Sequence, residues 1–514
     1  MKKICITGQE EVVFNNRAFS CIGTGRMDLA LHQEYVNQLR FVQEMIGFDY
    51  IRGHGLFCKD MAIYHEQKMP DGTIREEYNF TYLDEVFDQY LELSIRPFLE
   101  LGFMPKAMAS GKDTVFYWKG NITPPADYDK WARLVQATLR HLILRYGEEE
   151  VLTWPVEVWN EPNLPSFWKD ADRQEYFHLY EVTAKAVKEV NPAIQVGGPA
   201  ICGVDDVEWL EKFLDFVRAG RLPMDFVTRH HYTSYVPEYC GHYGYIELHD
   251  PEDAFRVLER SREIVDRYEE FVGKDIHITE YNTSYIPNAP VHDTCYNAAY
   301  VAHMLSRLGD CHTSYSYWTF GDVFEEIGVP FTLFHGGFGL VANGCIPKPT
   351  FWTFAFFKKL DGICIHRSDQ ALFVKRENGG FCGVVWNPDH RGEGKCFEAE
   401  FTISLPREGQ DTEFCMICRT VDEEHGNPLK VWHEMGEPAN PTREQAALLR
   451  ETARPEVTSK TIKVMDGCIM LNVQVAPNGI QALELLPVER QNDIGYDYER
   501  TIAQRVAEDC SQKL

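Results

Sequence analysis

VEVWNEPNLPSFW, residues 156–168, starts as an apolar, strand-like run and ends on Trp159, Asn160, Glu161 and Pro162. A strand that only packs has no use for a carboxylate at its exit, because an unpaired buried charge is costly. Seven other runs share its β-like character: FSCIGTG (19–25), FDYIRGHGLF (48–57), IRPFLELGFMP (95–105), IQVGGPAICG (194–203), FVTRHHYT (226–233), IHITEYNTS (276–284) and SYSYWTF (314–320). They recur about every 42 residues, a spacing that suits strand–helix units with long loops. The segments between them carry a helical period. In YLDEVFDQYLEL, Leu83, Val86, Phe87, Tyr90 and Leu91 form one stripe, and in VEWLEKFLDFV so do Trp209, Leu210, Phe213, Leu214 and Val217. Eight strand–helix alternations predict a closed (β/α)8 TIM barrel, with an open doubly wound sheet as the weaker alternative.

Beyond Leu360 the pattern changes. ALFVKRENGGFCGVVWNP, CFEAEFTISLP, EFCMICRTV and GIQALELLPV read as strands separated by Asn, Gly and Pro turns, which predicts a β-sandwich. PTREQAALLRET (441–452) reads as a helical insert, and the polar stretch from about Glu489 as a docking tail. Two domains suit 514 residues, since single cores rarely grow past about 250–300 residues.

The net charge of −27, from 51 Lys plus Arg against 78 Asp plus Glu, argues against nucleic acid or anionic membrane as partners and favours neutral ligands. Aromatic residues make up 13% of the chain, more than packing usually needs, and aromatic faces suit sugar rings. The N-terminal MKKICITGQEEVVF has no apolar core for a signal peptide, and no apolar run reaches membrane-spanning length. The expected location is therefore the cytoplasm, with the 15 cysteines as reduced thiols.

In a barrel the reacting groups sit at the carboxyl ends of the strands. The fourth run ends on Glu161 and the seventh on Glu280, 119 residues apart in sequence yet at one mouth in such a barrel. Two facing carboxylates in unlike environments cleave a glycosidic bond: one keeps a proton for the leaving oxygen and the other, ionised, attacks the anomeric carbon. A single strand-end glutamate is more often a salt-bridge partner. Asn160 stands where it can bond a sugar hydroxyl, and Pro162 fixes the turn out of the strand.

Other motifs carry less. In RHHY, neighbouring strand residues point to opposite faces, so no metal site is expected. CMIC (Cys415 to Cys418) is CxxC without a second pair, in a sandwich strand, and reads as two buried thiols. GTGRMD lacks the third glycine of a dinucleotide loop. HGGFGL (335–340) resembles an oxyanion loop, but no G-x-S-x-G elbow accompanies it. No cofactor is expected.

VWNEPNLPSFW, ITEYNTS, RHHYTS, YIRGHGLF and YWTFGDVFEEIGVPFTLFHGGFGL together resemble glycoside hydrolase family 39, its bacterial β-xylosidase branch, over most of residues 1–490. The resemblance implies a retaining mechanism with Glu161 as general acid/base and Glu280 as nucleophile. It also implies that N-terminal strands join the sandwich, which divides the chain into 1–14, a catalytic barrel at 15–360, a sandwich at 361–490 and a tail at 491–514. Homo-tetramers are frequent in this branch. By the same resemblance Tyr232 bonds the nucleophile and His230 meets sugar hydroxyls, while His231 stands where a small residue is expected. Arg52 and His54 line the site, although Arg52 is equally readable as the partner of a core carboxylate. Trp318 floors the sugar ring or simply packs. One of Glu325 and Glu326 holds a distal hydroxyl, and a solvated role is as good for the other.

The resulting expectation is an exo-acting β-xylosidase that trims short, neutral xylo-oligosaccharides. A β-glucosidase, β-galactosidase or arabinopyranosidase on the same barrel is the nearest alternative, since one hydroxymethyl group is worth only about 1–3 kcal/mol of discrimination. α-L-Iduronidase activity would want cationic partners and a secreted chain. A non-catalytic sugar-binding protein is the alternative of another class, and retention of both glutamates speaks against it.

Overall fold

The computed structural model describes residues 2–7, 11–405, 413–490 and 495–503. Eight parallel strands close in sequence order: Cys21–Arg26, Tyr50–His54, Arg96–Leu101, Val156–Val158, Val196–Ile201, Phe226–Tyr232, Asp275–Asn282 and Ser314–Tyr317, the last pairing back onto the first. These are the eight runs read from the sequence, and the sheet is a closed barrel rather than an open one. A helix follows each strand, from Gln33–Met45 to Pro349–Phe357. Side-chain caps start several of them: Asp127 accepts from Asp129 N and Lys130 N, and Asp172 from Gln174 N and Glu175 N, satisfying amides that have no partner within the helix.

Both predicted helical stripes face the barrel, except that Leu91 is only half-buried at the helix end. The strands pack so closely that a Cβ on Gly197 would lie 2.3 Å from the Phe226 ring and 2.4 Å from its carbonyl oxygen. Inside the barrel the layers change in kind. Cys21, Phe98 and Phe226 form an apolar plug at the amino end, with the His277 ring edge-on to both phenylalanines. Above it lies a charged layer of Arg52, Glu100 and Glu157 with Thr279, and above that the barrel mouth opens.

After the barrel come two facing sheets. Six antiparallel strands run in the order Ile363–Arg367, Ala371–Lys375, Phe381–Trp386, Ile480–Val488, Glu413–Val421, Glu456–Lys463. The opposing sheet has Phe397–Ser404 at its centre, flanked by Cys468–Val475 and by Lys2–Ile6, which pairs in parallel with it. Between them Phe373, Phe381, Phe401 and Phe414 form a separate core. Cys415 and Cys418 are not a pair: three residues apart on one strand, they take opposite faces, Cys415 half-buried and Cys418 buried. The helical insert, Pro428–Glu434 and Arg443–Thr452, returns to the barrel, where Trp432 packs on Phe334 and Trp352 Nε1 donates to Ala453 O at 2.7 Å. Most of the expected tail, residues 491–494 and 504–514, lies outside the described residues. Among the described residues no helix is long and apolar enough to cross a membrane.

Candidate active site

The barrel mouth holds a cavity of about 870 Å³, within the range of small-ligand pockets. Its walls include Glu161 and Glu280, with His54, Asn160, His230, Tyr232, Trp318 and Glu326. Two backbone devices aim the carboxylates. Beyond Val158 the chain turns through left-handed conformations at Trp159 (φ 72°) and Glu161 (φ 44°), which bulky residues adopt only under constraint. Trp159 Nε1 donates to Phe167 O, and Glu161 N to Ala200 O, both at 2.9 Å, and these bonds hold the turn. On the seventh strand the register slips: Arg229 pairs with Ile278 but His230 with Glu280, so Thr279 is the extra residue of a bulge. Thr279 and Glu280 therefore both reach inward, Thr279 to Glu157 and Glu280 to Arg52.

The two carboxylates differ in surroundings. Glu280 accepts from Arg52 Nη1 at 2.7 Å on one oxygen and from the Tyr232 hydroxyl at 2.7 Å on the other. Among the described residues Glu161 has no Lys or Arg partner. Burial and then the charge of Glu280 hold its pKa well above the usual carboxylate range, outweighing Arg52. Its Oε1 lies 2.8 Å from His230 Nδ1, which is also 3.4 Å from Glu280 Oε2. Burial, followed by the charge of Arg52, pushes His230 well below its ordinary value, so the ring is neutral. Burial first, and then Glu280, raises the Tyr232 phenol, which stays a donor.

One oxygen each from Glu161 and Glu280 and one ring nitrogen of His230 lie within 4.8 Å of one another. Among the described residues this is the one grouping with the spacing of a metal site. The Glu280 oxygens already accept from Arg52 and Tyr232, and the Glu161–His230 contact is itself a hydrogen bond. One oxygen of each carboxylate thus lies within 4.8 Å of the other's, near enough for both groups to act on one bound ring.

Arg52 sits beneath the cavity, fully buried and not one of its wall residues, with Nη2 donating to Asn160 Oδ1 at 2.9 Å; it is the partner of the core carboxylates Glu100 and Glu157 and meets the site only through Asn160 and Glu280. His54 presents Nε2 to Glu280 Oε1 at 3.4 Å and to Glu326 Oε1 at 3.9 Å. Trp318 lies against His54, ring centroids 4.7 Å apart, and forms one wall with Phe338. Glu325 and Glu326 part company. Arg26 Nη2 draws Glu325 aside at 2.6 Å, so Glu325 is no wall residue. Glu326 faces the cavity, its carbonyl accepting from Tyr117 N at 2.7 Å and its carboxyl raised well above the usual range by burial, then by Glu280. His231 is buried near Arg229, His249 and His312, and its Nε2 has no partner among the described residues.

Sequence reasoning missed Glu100, Glu157, Phe167 and Tyr285. The first two left a signal, a charged residue at the centre of an apolar strand in LEL and VEV, with the periodicity of an inward face. Phe167 and Tyr285 lie on loops, where no periodicity applies.

The chain is 48% identical over 503 residues to a β-xylosidase of Geobacillus stearothermophilus, covering 97% of this chain and 98% of that one. It is 35% identical over 486 residues to a β-xylosidase of Caldicellulosiruptor saccharolyticus, covering 90% and 94%. The fold superposes on a monomeric β-xylosidase from Caulobacter crescentus with a TM-score of 0.86 at 31% identity, covering 95% of this chain and all of that one. The profile of the glycosyl hydrolases family 39 matches residues 3–469, nearly the whole of barrel and sandwich, and the chain is a member of that family.

Proposed function

We propose that this glycoside hydrolase is an exo-acting β-xylosidase working by double displacement, with Glu280 as nucleophile and Glu161 as general acid and then base. The observation that carries the reading is the contrast between two carboxylates in one cavity. Glu280 accepts from two donors, one of them the Arg52 guanidinium, while Glu161, buried beside it, is held well above the usual carboxylate range and keeps its proton. Neutral His230, its Nδ1 hydrogen-bonded to Glu161 Oε1 at 2.8 Å, orients the carboxyl toward the leaving oxygen. Glu280 attacks the anomeric carbon and forms a glycosyl–enzyme ester as the leaving group takes the proton. Glu161, now ionised, removes a proton from water, which displaces Glu280 with overall retention. His54, Asn160, Trp318 and Glu326 enclose the sugar on the side of Glu280. Xylose as the sugar is supported by two β-xylosidase relatives covering nine-tenths or more of the chain.

A panel of p-nitrophenyl β-glycosides compared by kcat/KM tests the substrate, with the β-xyloside expected to lead. A tenfold preference for the β-glucoside or β-galactoside would overturn the choice of sugar and leave the mechanism. Azide tests the roles. In Glu161→Ala azide attacks the intermediate and gives the β-glycosyl azide; in Glu280→Ala it enters the vacated space and gives the α-azide. Proton NMR separates the anomers, and a reversed outcome would exchange the two roles. We further propose the homo-tetramer that the family resemblance implies and a cytoplasmic location; light scattering decides the first, for which the Caulobacter crescentus β-xylosidase, a monomer, is the contrasting case.

A further inference from the structure

Glu280 shares its guanidinium. Arg52 Nη1 donates to Glu280 Oε1 at 2.7 Å and Nε to Glu157 Oε2 at 2.6 Å, while Nη2 lies 3.1 Å from Glu100 Oε2. His54 Nδ1 meets the same Glu100 oxygen at 2.6 Å, and its Nε2 lies 3.4 Å from the same Glu280 oxygen that Arg52 holds. Arg52 and His54, two residues apart on one face of a strand, thus close a circuit with Glu100 and Glu280 in which each carboxylate touches both bases. The side chains of Arg52, Glu100 and Glu157 are wholly shielded from solvent. Neither Glu100 nor Glu157 lines the cavity, so neither touches the sugar.

Three carboxylates around one guanidinium are more than is needed to hold an arginine in place. Asn160 already fixes Nη2 with a neutral oxygen, and each added buried charge costs desolvation. We propose that Glu100 and Glu157 are positioning residues that set the electrostatic field of the catalytic pair: by drawing on Arg52 they leave Glu280 only part of its positive charge, and Glu100 keeps a negative field beneath Glu161. The proposal rests on the roles given to Glu161 and Glu280 above.

Geometry and charge agree on this. The pull on Arg52 is strong: although burial disfavours its charge, Glu157, Glu100 and Glu280 together raise its pKa. Glu161 is raised by burial first and by Glu280 next, and Glu100 acts in the same direction. Glu157 is itself raised by burial, against the attraction of Arg52. The titratable groups facing Glu100 are Arg52 and His54 from the second strand, Glu157 from the fourth and Glu280 from the seventh, with Cys58 on the loop beyond His54. Glu161, His230 and Glu326 lie on the cavity side.

The test is the pH dependence of kcat/KM on an aryl β-xyloside for the native enzyme, Glu100→Gln, Glu100→Asp and Glu157→Gln. Removing a negative charge eases ionisation of both catalytic carboxyls, so each Gln variant should move both limbs of the profile to lower pH, by about one unit. Glu100→Asp keeps the charge and should hold both limbs in place even where kcat falls. Gln variants that lose activity with the limbs unmoved, or an Asp variant that shifts as far as its Gln counterpart, would overturn the proposal. Should Glu100→Gln not fold, Glu157→Gln decides alone. Azide stereochemistry separates the two layers of argument: reversed anomers remove the roles of Glu161 and Glu280, whereas unmoved limbs with the expected anomers remove only the field.

Discussion

At the scale of single residues, the proton on Glu161 is linked to folding. An unfolded chain gives this carboxyl a pKa near 4.5, and the folded site raises it well above that, through burial and then Glu280. The folded state thus binds the proton more tightly. The associated stability is complete below the unfolded value and is lost as pH rises through the folded one. Glu161→Gln has no charge to bury, so its melting temperature should gain on the native enzyme as pH rises above about 4.5, the value of the unfolded carboxyl. Thermal melts of both proteins across that range check it, and a constant difference would show that Glu161 does not keep its proton. The same substitution should abolish turnover of poor leaving groups while activated aryl glycosides still glycosylate Glu280.

Among elements, HGGFGL found its use as structure rather than as an oxyanion loop. It wraps the buried ammonium of Lys348, which donates to Gly337 O at 2.8 Å and lies 2.6 Å from Asp293 and 2.7 Å from Asp322. Asp293 and Asp322 accept in turn from Gly336 N and Gly339 N, both at 2.8 Å. The glycines are required by space: a Cβ on Gly337 would lie 2.4 Å from Asp322 Oδ1, and Gly336 has φ 77° with the Ala289 backbone 2.3 Å from such a Cβ. The segment thereby presents Phe338 to the cavity and, through Phe324, supports Trp318. Lys348→Met should strand two buried carboxylates and cost about 3–5 kcal/mol in denaturant unfolding. A loss below about 1 kcal/mol would mean that the loop holds without its cation.

Across the whole molecule, the second core depends on the first residues of the chain. Lys2–Ile6 pairs residue by residue with Ala399–Ile403, and Ile6 is buried among the sandwich phenylalanines. Deleting residues 1–7 would uncover a flat strand edge and remove that contact. Calorimetry should show the sandwich melting earlier, with kcat/KM unchanged at temperatures where the protein stays folded, because this strand does not reach the cavity. An unaltered melting profile would show the strand to be dispensable.

Periodicity along the chain is enough to specify the barrel. Its eight strands and the helical stripes between them are read from periodicity, because a strand or helix buried on one face must repeat its apolar residues with its own geometry. The pairing of Glu161 with Glu280 was also legible, since both end strands of one barrel. Tertiary structure decided the rest. Alternation from Ile276 and Ile278 would turn Glu280 outward; the bulge at Thr279 turns it in, and only the paired neighbouring strand shows where register slips. Glu325 and Glu326 are adjacent and alike in type, and Arg26, some 300 residues away, decides which of them faces the cavity. The sharing of Arg52 among Glu100, Glu157 and Glu280 is likewise set by contacts between strands remote in sequence, where charge, burial and distance act together and local pattern carries no record of them.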